Sequence, residues 1–227
     1  MQNEPMFRTE YANTAGMGSV ISTNKVLKNT YMLLGMTLAF SALAAGIAMA
    51  VGLPPVAGLV LSLVGFGLLF VVNRMADSAK GLWAIFAFAG VMGAALGPML
   101  TVYASIPGGS ALVMQALGGT AVVFFGLSAY ALTTRKDFSF MGGFLMVGLL
   151  VAVVAMIANI FLNIPALSLT ISAAVVMIMS GLILFDTSRI IHGGETNYIR
   201  ATVSLYLNIY NLFIHMLNLL TAFSGDD

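Results

Sequence analysis

The sequence predicts an all-α integral membrane protein, a seven-transmembrane-helix bundle built as three hairpins around a central last helix. Of the 227 residues, 60% are hydrophobic and only 7% are charged, whereas about 25% are charged in an average soluble domain. Apolar runs long enough to cross a bilayer recur seven times, and all nine Lys and Arg residues fall on one side of them. Lipid is the solvent that suits such a chain.

Each of the seven runs is long enough to cross hydrocarbon, which takes roughly 17 to 25 residues. In chain order they are Thr30–Val51, Val56–Val72, Leu82–Tyr103, Ala111–Leu132, Phe138–Leu162, Ala166–Asp186 and Tyr198–Ser224. Three connections are short, uncharged and contain proline, which predicts tight turns: Gly52–Pro55, Ser105–Ser110 and Asn163–Pro165. The other three carry charges of both signs: Asn73–Lys80, Thr133–Asp137 and Thr187–Asn197. The two kinds of connection alternate, which predicts three hairpins followed by a single helix.

The basic residues predict the orientation. None of them lies in a proline turn or after the last run, and by the positive-inside rule their side is cytoplasmic. The N-terminus is therefore predicted in the cytoplasm, and Asp226 and Asp227 on the opposite side. The nine basic residues are Arg8, Lys25, Lys28, Arg74, Lys80, Arg135, Lys136, Arg189 and Arg200.

The N-terminal region differs in character from the rest of the chain. Residues 1–29 are predicted to be a flexible cytoplasmic tail, and residues 30–227 to be the seven-helix transmembrane domain. The tail is polar and lacks the apolar stretch of a signal peptide, so we expect no cleavable signal. Met1 to Ser22 carries charges of both signs and no apolar periodicity, which favours disorder.

Small residues recur at every fourth position in two of the runs, a pattern that lets helices pack closely in lipid. The two stripes are Ala89, Gly93 and Gly97, and Ala42, Gly46 and Ala50. We interpret both as packing surfaces within one chain, with a dimer interface as the alternative.

Polar side chains form a stripe on the last run. Their spacings of 4, 3, 4 and 3 place them on one face of a helix, and such a face avoids lipid. This predicts that the last helix is central and ringed by the other six. The stripe is interpreted either as a seam of hydrogen bonds between helices or as the lining of an ion or proton path. Its members are Ser204, Asn208, Asn211, His215 and Asn218.

Asp186 is the one carboxylate within or at the edge of an apolar run. A charged side chain costs about 2.5–3.5 kcal/mol at the centre of a span and less near its edge, so it needs a partner. Arg189 at i+3 on the same helix and Arg74 at the end of the second run are the candidate cations. The alternatives are a structural ion pair and a titrating gate.

The sequence predicts no catalytic residues, no metal site and no cofactor. It has no cysteine, no Ser-His-Asp or paired-carboxylate constellation and no nucleic-acid-binding motif, and its net charge is only +1. The two histidines, His192 and His215, fall on opposite sides, which makes a metal site unfavourable. Asn159 and Asn163 are the predicted hydrogen-bond partners of His215.

Two C-terminal segments, Ile183–Gly193 and Ser204–Phe213, resemble the signature of the Bax inhibitor-1 family. Three further segments resemble its proteobacterial branch, the inner-membrane modulators of the FtsH protease. They are Asn24–Tyr31, Ala131–Asp137 and His192–Tyr206. The resemblance covers most of the chain.

The resemblance implies a regulatory binding protein rather than an enzyme. Members of this branch associate with the membrane-anchored AAA protease FtsH and restrain its degradation of other membrane proteins. The resemblance also implies that FtsH engages the tail, Met1 to Ser22, although the tail could equally be inert. The implied location is the bacterial inner membrane, surrounded by lipid, with the C-terminus in the periplasm.

The resemblance implies an alternative function as well, a pH-sensitive cation leak. Other family members are proposed to leak Ca²⁺ through two aspartates that share a site on the sixth and seventh helices. Asp186 matches the first aspartate, but Asn208 stands where the second would be. Two nearby carboxylates raise each other's proton affinity, and an amide cannot do so. We therefore expect Asn208 to be a fixed hydrogen-bond partner of Asp186. A purely structural bundle is the third hypothesis.

Overall fold

The computed structural model describes the backbone of residues 5–224 and the side chains of residues 25–224. In this range the chain forms seven α-helices and no β-strand. All seven are long and apolar enough to cross a membrane, which confirms the predicted fold class. The helices are α1 (Pro5–Val51), α2 (Pro55–Met75), α3 (Lys80–Ser105), α4 (Gly109–Thr134), α5 (Gly142–Leu162), α6 (Pro165–Ile191) and α7 (Tyr198–Ser224).

The spanning part of α1 is Lys25–Val51, although its backbone helix begins at Pro5. Residues 1–4 and 225–227 lie outside the described range. The predicted tail, residues 1–29, therefore falls mostly on positions whose side chains are not described. Its flexibility and its docking role remain predictions.

The helix ends follow from their turn residues. Proline at the first position of α2 and α6 suits the helix start because its fixed φ is already helical and its missing N–H would have no partner there. Gly193 has a φ of +74° just after α6, a conformation that favours glycine. The Oδ1 atom of Asn197 accepts hydrogen bonds from the backbone N–H groups of Ile199 and Arg200 at 2.9 and 3.1 Å, which caps the start of α7.

The helix α7 is central, but the ring around it differs in one helix from the prediction. Within the described residues α7 packs against α1, α2, α3, α4 and α6, while α5 packs only on α6 and on the short 3₁₀ turn that precedes it, Ser139–Met141. The apolar faces of α5 are thereby left to lipid. The predicted ring of six helices is wrong in this respect.

The first predicted hairpin is also not a packed pair. The helices α1 and α2 are joined by a tight turn, yet they do not pack against each other within the described range, and both pack on α3. The reason is the small-residue stripe of α3. A Cβ at Gly93 would overlap the backbone carbonyl of Ser41, and one at Gly97 would overlap the Ala48 side chain. The helix α1 therefore lies directly against α3.

The second small-residue stripe, on α1, does not serve the predicted purpose. Ala42, Gly46 and Ala50 are exposed, and a Cβ at Gly46 would meet no atom within 4 Å. The face of α1 that packs on α3 is one position away and carries Ser41 and Ala48. The prediction that both stripes are packing surfaces is correct for α3 and wrong for α1.

The two ends of the bundle differ in their connections. The basic end carries the loops 76–79, 135–141 and 192–197, and the proline-turn end carries the turns 52–54, 106–108 and 163–164. The main core surrounds α7 and includes Tyr206, whose ring meets that of Phe88 edge-on at 5.3 Å. A smaller apolar cluster lies towards the proline-turn end.

Candidate functional site

The candidate site is a buried carboxylate between α6 and α7. Asp186 is 7% exposed, and its Oδ2 atom accepts hydrogen bonds from the Ser204 hydroxyl at 2.6 Å and the Asn208 amide at 2.7 Å. Ser204 and Asn208 are four residues apart on α7, so they lie one above the other on the face that meets α6. The predicted contact between Asp186 and Asn208 is confirmed.

The predicted cationic partners of Asp186 lie elsewhere. The guanidinium of Arg189 donates to the carbonyl of Gly194 at 3.3 Å and pairs with Glu195 at 3.7 Å. Arg74 is exposed at the end of α2. Within residues 25–224 no ion pair includes Asp186. Long basic side chains near helix ends extend towards water, and for this reason Arg189 follows the loop rather than turning back along its helix.

The arrangement therefore consists of one acid and two neutral donors. A carboxylate has about four acceptor positions, and both described hydrogen bonds go to Oδ2 of Asp186, so that Oδ1 accepts none from the described residues. Neither Ser204 nor Asn208 titrates in the physiological range. The site can hold a proton or a charge on one group only, and it lacks the second carboxylate that a coupled pair requires.

A second polar cluster lies nearer the proline-turn end of the same interface. The hydroxyl of Ser172 on α6 meets Nδ1 of His215 at 3.1 Å and accepts from the amide of Asn218 at 2.8 Å. Ser172 is 1% exposed. The predicted partners of His215 were wrong, because the side chain of Asn159 accepts from the backbone N–H of Ile164 and Asn163 ends α5 with a φ of +49°.

Sequence reasoning missed Ser172, although a signal existed. Ser172 precedes Asp186 by fourteen residues, about four helical turns or roughly 21 Å along α6, so both lie on one face. A search of α6 for polar residues at helical spacing from Asp186 would have found it. The α6–α7 interface thus contains two polar layers, one at each end.

Apolar side chains separate the two polar layers. The face of α6 between them carries Val175, Met179 and Ile183, all buried. The remaining member of the predicted stripe, Asn211, donates to the carbonyl of Leu207 in its own helix at 2.8 Å. The polar stripe of α7 is therefore interrupted halfway across the bundle.

Hydrogen bonds clamp the loops at the basic end to one another. The amide of Asn197 donates to the carbonyl of Ala76 at 3.0 Å and to Asp77 at 2.8 Å, and Arg200 pairs with the same aspartate at 2.5 Å. These contacts tie the α2–α3 loop to the start of α7.

A second clamp ties the α4–α5 loop to the end of α6. The Ser188 hydroxyl donates to the carbonyl of Lys136 at 3.2 Å and accepts from the backbone N–H of Phe138 at 3.0 Å. In this loop, hydrogen bonds from Ser139 hold the pKa of Asp137 below its usual value, and the nearby His192 lowers this pKa further. All three loops of the basic end are therefore ordered by side-chain contacts.

Residues 23–225 match the model of the family described as inhibitor of apoptosis-promoting Bax1, usually called the Bax inhibitor-1 family. The chain belongs to the Bax inhibitor-1 family. This confirms the family suggested by the two C-terminal segments, and those segments contain Asp186 and both of its hydrogen-bond donors.

Similar proteins occur in several bacteria. The chain is 56% identical over 209 residues to the modulator of FtsH protease YccA of Escherichia coli K12, covering 92% of this chain and 94% of that protein. The same values hold for a protein of E. coli O6:H1 named inner membrane protein YccA. A membrane protein of Vibrio cholerae is 50% identical over 226 residues, 99% of this chain and all of that one.

Proposed function

We propose that this protein is a regulatory protein of the bacterial inner membrane that binds the FtsH protease and restrains its degradation of membrane proteins. The observation that carries the proposal is the 56% identity, over nearly the whole of both chains, with a protein named a modulator of that protease. The protein acts by binding and has no catalytic role of its own.

The basic end is the surface that we expect to face FtsH. It carries the basic residues, which the positive-inside rule places in the cytoplasm, and its loops are clamped by Asn197, Asp77 and Ser188. Ordered loops lose little conformational entropy on association. This supports a preformed docking surface beside the N-terminal tail.

The packing of α1 supports a further part of the proposal, resistance to extraction. Any pull on the tail is transmitted to α1, which is held against α3 at Gly93 and Gly97 and hydrogen-bonded to α7 through Ser41 and Tyr206 at 2.7 Å. A protease that starts at Met1 to Ser22 must break these contacts first. A chain that engages FtsH but resists unfolding occupies the protease without being consumed.

The decisive experiment measures FtsH-dependent turnover of a membrane substrate in cells that make this protein and in cells that lack it. We expect a longer substrate half-life when the protein is present. Co-purification with FtsH from mild detergent, with the full chain and with residues 1–22 deleted, tests the tail. Retained co-purification but lost protection in the deleted form would place docking at the loops. Unchanged turnover together with no association in either form contradicts the proposal.

The second candidate function is a pH-sensitive cation leak, favoured by the buried Asp186, whose Oδ1 atom accepts no hydrogen bond from residues 25–224. The apolar layer of Val175, Met179 and Ile183 and the amide at position 208 argue against it. Vesicles that contain the protein and a Ca²⁺ dye should show little flux, and Asn208→Asp should make any flux more dependent on pH. Rapid Ca²⁺ entry that Asp186→Asn abolishes would establish the leak instead.

A further inference from the structure

A crevice runs along the side of the bundle between α1 and α4. Within the described residues the backbones of these two helices do not approach each other, although the ring centroids of Tyr31 and Phe124 lie 5.9 Å apart. The space between the helices has a volume of about 470 Å³. The helix α1 lines it from Tyr31 to Met49 and α4 from Val113 to Phe125, while α3 and α7 form its floor. The crevice lies on the opposite face of α7 from Asp186 and is separate from the polar site.

The lining of the crevice is mainly apolar. Most of its lining is aliphatic or aromatic, and the tyrosine hydroxyls at its edge and floor are already hydrogen-bonded. These bonds join Tyr206 to Ser41 at 2.7 Å, Tyr31 to Thr187 at 3.4 Å and Tyr210 to the carbonyl of Met92 at 3.4 Å. A polar ligand would find no unpaired partner among these hydroxyls, so the chemistry of the lining selects an apolar occupant.

The dimensions separate a lipid chain from a protein helix. The lined stretches of α4 and α1 are about 18 and 27 Å long at 1.5 Å per residue. The volume of about 470 Å³ lies within the range of about 300–1,000 Å³ that is typical of small-molecule pockets. A helix about 18 Å long and 10–12 Å wide would occupy roughly 1,400–2,000 Å³. The crevice is long but too small to enclose a helix, which suits one extended hydrocarbon chain.

A lysine lies near the basic end of the crevice. Lys28 is exposed on α1, one turn before Tyr31 and two turns before Gly35, and residues at these spacings share a helix face. Lys28 therefore lies on the helix face that lines the crevice, at the end where the headgroup of a lipid in that leaflet would sit. A basic group beside the membrane surface attracts anionic headgroups.

We propose that this crevice binds one acyl chain of an anionic phospholipid from the leaflet at the basic end, with Lys28 beside the phosphate. The acyl chain fills the gap between α1 and α4, whose backbones do not approach each other within the described residues. The small residues Gly35, Ala42 and Gly46, which do not pack on α3, leave the room that the acyl chain occupies.

Glycines provide the test, because two of them face the crevice at positions where a side chain can begin without a clash. A Cβ at Gly35 or Gly46 meets no atom within 4 Å, so Gly35→Leu with Gly46→Leu blocks the space and improves helix propensity. The control is Gly67→Leu on α2, a position that is also open but lies outside the crevice. Lys28→Gln removes the cation, with Lys80→Gln at the start of α3 as its control.

The measurement is native mass spectrometry of the full chain in detergent, titrated with palmitoyl-oleoyl phosphatidylglycerol. We expect the wild type and Gly67→Leu to retain one lipid. The double leucine variant should bind it at least about tenfold more weakly, because the free energy of burial scales with the number of methylene groups buried. Lys28→Gln should reduce the preference for phosphatidylglycerol over phosphatidylcholine. Equal retention by wild type and double variant overturns the proposal.

A cross-linking experiment in native membranes distinguishes the lipid from a partner helix. A photoreactive benzophenone side chain replaces Leu117, which lines the crevice and is 48% exposed, or Val122, which is 73% exposed and lies outside it. We expect a lipid-sized adduct from position 117 in excess of that from position 122. A protein-sized adduct at position 117 would show that a helix occupies the crevice and would refute the lipid assignment.

Discussion

Two neutral donors hold the one carboxylate that is buried between α6 and α7. Ser204 and Asn208 both donate to Oδ2 of Asp186, so this oxygen satisfies two polar groups that have little access to water. Leaving a buried donor without an acceptor costs about 1–3 kcal/mol. Asp186 therefore stabilises the fold largely by accepting the hydrogen bonds of Ser204 and Asn208.

We predict that Asp186→Leu lowers the free energy of unfolding by at least about 1–3 kcal/mol, because the buried Asn208 amide loses its acceptor and the part-buried Ser204 hydroxyl loses one as well. Asp186→Asn should lower it less, since its amide retains a carbonyl acceptor. Thermal unfolding in detergent measures both, with Asp137→Asn in the exposed α4–α5 loop as the control. Identical midpoints for Asp186→Leu and the control would contradict this account of the site.

The second polar layer allows an independent prediction. Ser172→Ala removes the acceptor of Asn218 and the partner of His215, and we expect a loss of about 1–3 kcal/mol. The matched control is Ser62→Ala, whose hydroxyl bonds only to the carbonyl of Gly58 in its own helix. A double substitution of Ser172 and Asn218 should be less destabilising than the sum of the single ones. Strict additivity would show that the two side chains are not coupled.

At this scale the sequence predicted which residues are polar and share a face, but not all of their partners. Spacing along α7 identified Ser204, Asn208, His215 and Asn218, and the family resemblance predicted the contact of Asn208 with Asp186. The i+3 spacing of Arg189 predicted an ion pair that does not form. Spacing defines a face; it does not determine whether a long side chain reaches water or a neighbouring helix.

At the scale of the helices, close packing depends on residues that lack a side chain. Gly93 and Gly97 let α1 lie against α3. In lipid no hydrophobic effect drives two apolar helices together, so close backbone contact contributes much of the attraction. The helix α3 thereby packs against both α1 and α2. Any side chain at Gly93 must displace the backbone of α1 rather than a flexible neighbour.

We predict that Gly93→Ala destabilises the bundle by about 1–3 kcal/mol, the usual cost of overpacking. Gly67→Ala, at an open position on α2, should be neutral or slightly stabilising because alanine favours helix. Thermal unfolding of the two variants in the same detergent provides the comparison. If both variants unfold at the wild-type temperature, α1 and α3 are not in the close contact described.

The existence and limits of the helices were predictable, whereas two aspects of their packing were not. Length, hydropathy and the proline turns determine where a span begins and ends, and each predicted run lies within a helix or, for the fifth, includes its preceding turn. Chain connectivity suggested that α1 and α2 pack together, but short turns do not oblige their helices to touch. The small residues of α1 also indicated the wrong face, because lipid accepts small apolar residues as readily as a helix does.

At the scale of the whole molecule, the side chains order one end of the bundle more than the other. Clamps through Asn197, Asp77 and Ser188 join the three loops of the basic end, while the opposite end has short proline turns. An ordered end with positive charge suits recognition by a partner on that side of the membrane. The functional proposal thus depends on which compartment that end faces.

We predict that the basic end faces the cytoplasm. Alkaline phosphatase fused after Asp227, which is active only outside the cytoplasm, should be active, and green fluorescent protein at the same position should be dark. The reciprocal pair of fusions within the α2–α3 loop, after Asp77, provides the control because it should give the opposite pattern. A fluorescent fusion after Asp227 would reverse the orientation and place the clamped loops away from a cytoplasmic protease domain.

Within the part of the chain that the structure describes, the helix α5 packs only on α6 and its own preceding turn, and 11% of its span is buried, compared with 50% for α3. We expect most of its side chains to face acyl tails, which accept apolar residues of any shape. Evolution can therefore exchange leucine, valine, isoleucine and phenylalanine along α5 almost freely. Tolerance to substitution should therefore differ between helices. In α5 the apolar composition matters more than the order of the residues, whereas α7 is constrained at nearly every turn.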